Sequence, residues 1–180
     1  MADTVSRKTT GPASRWLCRA GRYGLVLDTV LTAVLVFSLT RLALALRVGG
    51  EADWTVGTFA SMVTLGLLYD LTTALLLTLP FSLWLTVLPE HWTRLRVTQI
   101  LIGLAVASGI FALLFNAAAE WLFWGEFSSR FNFIAVDYLI YTNEVIGNIR
   151  ESYPAGWILG GLGGLALLGT FTVRQRVMQR

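Results

Sequence analysis

The sequence predicts an all-α polytopic membrane protein with about four transmembrane helices and one amphipathic interfacial helix. Three observations predict it. Of 180 residues, 55% are hydrophobic and only 14% charged, more apolar surface than a soluble domain hides. Charge-poor runs at 24–46, 56–88, 97–119 and 155–173 each reach or exceed the roughly 17 to 25 residues that cross a ~30 Å hydrocarbon layer. The segment 120–154 is different, because eight aromatic residues between Trp121 and Tyr141 are interleaved with Glu120, Glu126, Arg130, Asn132 and Asp137. That mixture suits side chains that are apolar at one end and wet at the other, as at a membrane interface.

Charge distribution sets the expected orientation. The formal charge of +3 comes from 14 basic and 11 acidic residues. Arg7, Lys8, Arg15, Arg19 and Arg22 precede the first run, Arg94 and Arg96 lie between the second and third, and Arg174, Arg176 and Arg180 follow the fourth. With both termini in the cytoplasm, all ten fall inside, as the positive-inside rule requires. The outer side then carries Glu51 and Asp53 in one loop and the 120–154 segment in the other. The segment 120–154 is then expected on the extracytoplasmic side.

Residues 1–22, rich in Ser, Thr and Arg, have too little periodic apolar character to fold alone and are expected to form a cytoplasmic basic tail. Cys18 has no partner for an internal disulfide and reads as a free thiol, with palmitoylation as the alternative. The first run ends at Ala43-Leu44-Ala45, the outline of a cleavable signal peptide. Its length and its interruption by Asp28 and Arg41 favour an uncleaved anchor. Arg41 stands near the outer end, where its side chain is expected to snorkel.

The second run is too long for one perpendicular span. It either tilts and continues beyond the lipid or kinks at Pro80, a re-entrant pair being the third option. Asp70 stands well inside it, in GLLYDL, where an ionised carboxylate costs at least ~2.5 kcal/mol on insertion scales. Two readings stand for Asp70: a packing carboxylate bonded to a neighbouring hydroxyl or to Arg41, or a contact to a lipid headgroup or water-filled cavity. His91, in the inner loop PEHWTRLR, has no companions for a metal site. The third run is plain apart from Asn116. In the fourth, Gly156, Gly160 and Gly164 recur at four-residue intervals and predict a smooth packing face for the first or third span, or for another chain.

Within 120–154, residues 138–151 have helical periodicity. At about 100° per residue, Tyr138, Leu139, Tyr141, Thr142, Val145, Ile146 and Ile149 share an arc of roughly 160°, with Asn143, Glu144, Gly147, Asn148, Arg150 and Glu151 opposite and Ile140 the exception. Asp137 is placed to accept the first free N–H groups, and Pro154 to end the helix. Such a helix lies flat, apolar face down. Arg130 and Arg150 suit a lipid phosphate; the competing reading is a solvated face with internal pairs, Glu144 with Arg150 or Arg130 with Glu126.

Catalytic constellations are missing from the pattern: there is no His/Cys/Asp cluster at metal spacing, no G-x-S-x-G and no phosphate-cradling loop. No cofactor or metal is expected in this chain, and nothing points to nucleic acid. The expected partners are membrane lipids, anionic ones in particular, and a separate catalytic segment or another copy.

The run RFNFIAVDYLIYTNEVIGNIRESYP, with the preceding EWLFWGEF and with GLLYDL of the second run, resembles the membrane domain of bacterial lipoteichoic acid synthase-like proteins, the sulfatase or phosphoglycerol transferase family. The resemblance covers most of residues 24–173. It implies about five membrane helices followed by an extracytoplasmic domain of the alkaline-phosphatase superfamily, with a threonine-type nucleophile and a divalent metal such as Mn or Zn. This sequence stops at RQRVMQR, before any such residue. The resemblance therefore implies a catalytically incomplete, membrane-anchoring and lipid-positioning part, as a fragment, a truncated product or one piece of a split protein. It also implies lipid- or substrate-facing roles for Arg130, Asn132, Asp137, Tyr138, Tyr141, Glu144 and Glu151, which Arg150 joins by its phosphate-binding chemistry. The rival expectation is a free-standing polytopic protein that binds lipid or a partner without catalysis.

Overall fold

The computed structural model describes residues 22–49, 55–89, 92, 95–132 and 142–178. These residues form helices and no strand. In chain order the helices are α1, Arg22–Val48; α2, Val56–Val87; α3, Arg96–Phe127; α4, Thr142–Ser152; and α5, Ala155–Met178. Four of them, α1, α2, α3 and α5, are long and apolar enough to cross a membrane. Helices satisfy every backbone group internally, which is what hydrocarbon demands. This is an all-α polytopic membrane protein.

α1 is the common partner. α2 packs along one side of it and α3 along another, while α5 packs mainly on α3 and touches α1 only lightly. Two clusters hold the arrangement: Leu25, Leu85 and Val106 join α1, α2 and α3, and Val30, Ala33 and Ala74 pack further along, with Leu113 of α3 against them. Ala33 and Ala74 are almost wholly buried, and their small size lets α1 and α2 approach closely. The outward leucines are half exposed in the protein alone, Leu31, Leu35 and Leu39 of α1 among them. Their arrangement is inverted relative to a water-soluble bundle, because the solvent of these faces is lipid.

α2 is one continuous helix of 32 residues with Pro80 inside it, about 48 Å long at 1.5 Å per residue. The re-entrant pair is therefore excluded. Thr55 caps its start, accepting the Thr58 N–H at 3.2 Å. α3 does not stop at residue 119 but continues through EWLFWGEF to Phe127, taking eight residues from the segment expected to lie at the interface. That stretch contains no proline, and Phe123 and Phe127 stack one turn apart at 4.6 Å. The helix ends where Ser128 turns left-handed, φ 49°, its N–H returning to the Trp124 carbonyl. α4 ends at Ser152, two residues before Pro154, whose carbonyl accepts the Trp157 and Ile158 amides as α5 begins. Asp137, Tyr138 and Tyr141 lie outside the described residues, as do Cys18 and His91.

Candidate functional site

Asp70 is buried, 6% exposed, and every partner it uses comes from α1. Arg41 Nη2 donates to its Oδ1 at 2.5 Å, and the Ser38 hydroxyl donates to Oδ2 at 3.2 Å. The same Nη2 also reaches the Gly66 carbonyl at 2.8 Å, one turn before Asp70 on α2. Arg41 does not snorkel. Its side chain turns inward, onto a carboxylate and a carbonyl that lie across the helix interface. Gly66 makes room for it, since a methyl group there would overlap the guanidinium. Asp70 is accordingly a packing carboxylate that uses both the hydroxyl and the arginine.

A second cluster forms where α1 ends, α3 ends and α5 begins, here termed the connector end. Glu120 is buried, 5% exposed, and accepts Arg130 Nε at 2.5 Å. Expected on a wet strip, it instead faces inward from the last turns of α3, and Arg130 folds back over it from beyond the cap. Arg130 pairs with Glu120 and not with Glu126. Glu126 instead accepts the Tyr153 hydroxyl at 3.0 Å, joining the end of α3 to the start of α5. That hydrogen bond, with the nearby carboxylate charge, raises the Tyr153 phenol above its ordinary value, a shift the Arg47 charge partly opposes. Asn132 lies within 3.2 Å of the Ser129 hydroxyl, its amide donating.

Arg47, which the sequence pattern marks only as the end of the first span, is central to this end. Its guanidinium stacks on the Trp121 ring, 4.8 Å from the centroid, and Nη1 donates to the Trp121 carbonyl at 3.2 Å. Gly125 leaves the space beside it open. The one available signal was an arginine ending one span while an aromatic-rich turn ends another. In α4, Ile146 and Ile149 are exposed, as are Arg150 and Glu151, so α4 buries neither isoleucine within the chain. The side chain of Glu144 lies outside the described residues.

The glycine stripe of α5 meets no other helix among the described residues. A methyl group added at Gly156, Gly160 or Gly164 would meet nothing within 4 Å. α5 packs instead through Ala166, which is buried, and Gly169, where an added methyl would lie 3.2 Å from Ile110 of α3. On a helix those positions point roughly opposite to the glycine stripe. Of the partners expected for the stripe, the first and third spans do not cover it among the described residues, which leaves another chain.

Among the described residues, two cavities between the helices stand out. The larger, about 540 Å³, lies among α1, α2 and α3, lined by Thr29, Thr32, Phe37, Phe81, Ile110 and Asn116 among others. Thr29 and Thr32 return their hydroxyls to backbone carbonyls of α1, so the surface they present is largely apolar. The smaller, about 310 Å³, lies between α1 and α3 and reaches Trp121. Among the described residues no three His, Cys, Asp or Glu side chains are grouped to hold a metal.

No protein-family model, curated protein or solved structure matches this chain.

Proposed function

We propose that this chain is the membrane-anchoring and lipid-positioning part of a phosphoglycerol transferase or sulfatase-like enzyme of the bacterial envelope, with the reacting groups supplied by other polypeptide. The observation that carries the reading is the run Arg130–Pro154, whose sequence resembles that family and whose two ends are tied to one end of the helix bundle. Arg130 is fixed on Glu120, and Tyr153 on Glu126. Between them α4 presents exposed Ile146 and Ile149, as a helix resting on a bilayer does. In this reading both termini are cytoplasmic, and the connector lies on the outer leaflet of the cytoplasmic membrane, where a lipid substrate meets an extracytoplasmic domain.

Retention of anionic lipid by the purified chain tests it. Arg150→Ala, and Arg130→Ala combined with Glu120→Gln so that no buried carboxylate is left alone, are expected to weaken retention. Unchanged retention in both would leave the strip a solvated face. Metal-dependent release of phosphoglycerol from lipid by this chain alone would overturn its catalytic incompleteness.

One observation favours a second reading, a free-standing membrane protein that associates without catalysis. The glycine stripe of α5 has no partner among the described residues.

A further inference from the structure

We infer that the crevice between α1 and α3 holds one acyl chain of an anionic glycerophospholipid, with Arg47 binding its phosphate. This deepens the lipid-positioning reading and rests on it, but places the lipid at a site separate from the Arg130–Glu151 strip. The crevice runs between Val36, Leu39 and Ala43 of α1 and Leu114, Ala117 and Trp121 of α3. Its one polar side chain, Thr40, spends its hydroxyl on the Val36 carbonyl at 2.9 Å, so the walls are apolar throughout.

Length and charge choose the occupant. From Val36 to Arg47 is eleven residues, about 16 Å along the helix, against ~15 Å for half of a ~30 Å hydrocarbon layer. The crevice itself covers Val36 to Ala43 of α1, about 10 Å, and Arg47 stands one turn beyond its outer end, so crevice and cation together match one leaflet. Arg47 is exposed and fixed by the Trp121 ring and carbonyl, contacts that occupy one face of the guanidinium and Nη1. Its Nη2 lies on the side where Gly125 has no side chain, leaving room for a phosphate oxygen. The neighbouring acid, Glu126, is engaged by the Tyr153 hydroxyl. An apolar slot with an arginine one turn beyond its mouth, the two together one leaflet long, matches a molecule with a tail and an anionic head.

The test is native mass spectrometry of the full chain released from nanodiscs of mixed phosphatidylglycerol and phosphatidylcholine. Arg47→Gln should lower retained phosphatidylglycerol about tenfold, the loss of one charge-assisted hydrogen bond, with little effect on phosphatidylcholine. Ala117→Phe, which fills the slot and leaves Arg47 in place, should lower both. Soluble glycerol phosphate should not compete. In the unmodified chain, phosphatidylglycerol brominated on its acyl chain should quench the emission lost in Trp121→Phe more than brominated phosphatidylcholine does; equal quenching overturns the site even if the filled variant fails to fold. Loss in Arg47→Gln without loss in a folded Ala117→Phe, or competition by glycerol phosphate, would mean that phosphate binds without a tail, and the crevice proposal fails. Loss only in the Arg130 and Arg150 variants would sink this site and leave lipid positioning standing.

Discussion

A carboxylate carried into hydrocarbon needs hydrogen-bond donors for both of its oxygens, and Asp70 finds them on α1 in Ser38 and Arg41. Replacing Asp70 by Asn strands the arginine, and breaking a buried pair from one side costs about 3–5 kcal/mol. A double variant, Arg41→Met with Asp70→Leu, removes both charges and is expected to recover most of that loss in thermal unfolding in detergent. Gly66→Ala puts a methyl where the guanidinium lies and should cost about 1–3 kcal/mol through the displaced hydrogen bonds. Measured on the Arg41→Met background, the same change should be nearly silent, because the clash has gone. Sequence alone found Asp70 as a buried ionisable group and named Arg41 as one partner. It could not choose between pairing and snorkelling, since that depends on how α1 is rotated against α2.

Tyr153 links α3 to α5 by donating to Glu126, and its raised phenol pKa gives this link a pH dependence. A proton held more tightly when folded contributes stability that is fully present below the ordinary tyrosine value near 10 and is lost as pH rises through the higher folded value. The contact should survive neutral and mildly alkaline conditions. Difference titration of tyrosinate absorbance, using Tyr153→Phe to isolate the residue, should show its midpoint falling toward 10 in Glu126→Gln; no movement would detach the shift from that carboxylate.

Among the elements, the four spans were legible because long charge-poor runs have few other solutions, and their ends were less so. α3 overruns its expected stop because EWLFWGEF, whose aromatics also suit an interface, satisfies a helix and breaks only at Ser128. The glycine repeat of α5 was visible, but its direction was not, since Ala166 and Gly169 make an equally small face on another side. These two faces respond differently to added bulk. Gly160→Leu meets empty space and should change the stability of the isolated chain by no more than about 0.5 kcal/mol. Gly169→Leu drives against Ile110 and should cost about 1–3 kcal/mol as overpacking. Both are read by thermal unfolding in detergent, and an equal loss in the two would contradict the packing of α5 on α3.

For the whole molecule, the charge pattern and the connector-end cluster make a joint prediction about sidedness. On a Cys18→Ser background, a cysteine at Ser129 should react with a membrane-impermeant thiol reagent in intact cells. Labelling only after lysis would place the connector in the cytoplasm. The connector-end cluster was only partly legible: Glu120, Glu126 and Arg130 stand out by composition, whereas Arg47, Trp121 and Tyr153 acquire meaning only when three helix ends come together.

The place of α1 at the centre of the packing bears on how the protein is made. Translation delivers the N-terminal span to the bilayer first, so the scaffold is already present when the others emerge. α2 and then α3 each dock against α1, and α5 arrives to find α3 in place. No span has to wait in lipid for a partner still inside the ribosome, so Asp70 can be matched by Arg41 as soon as its own helix is released.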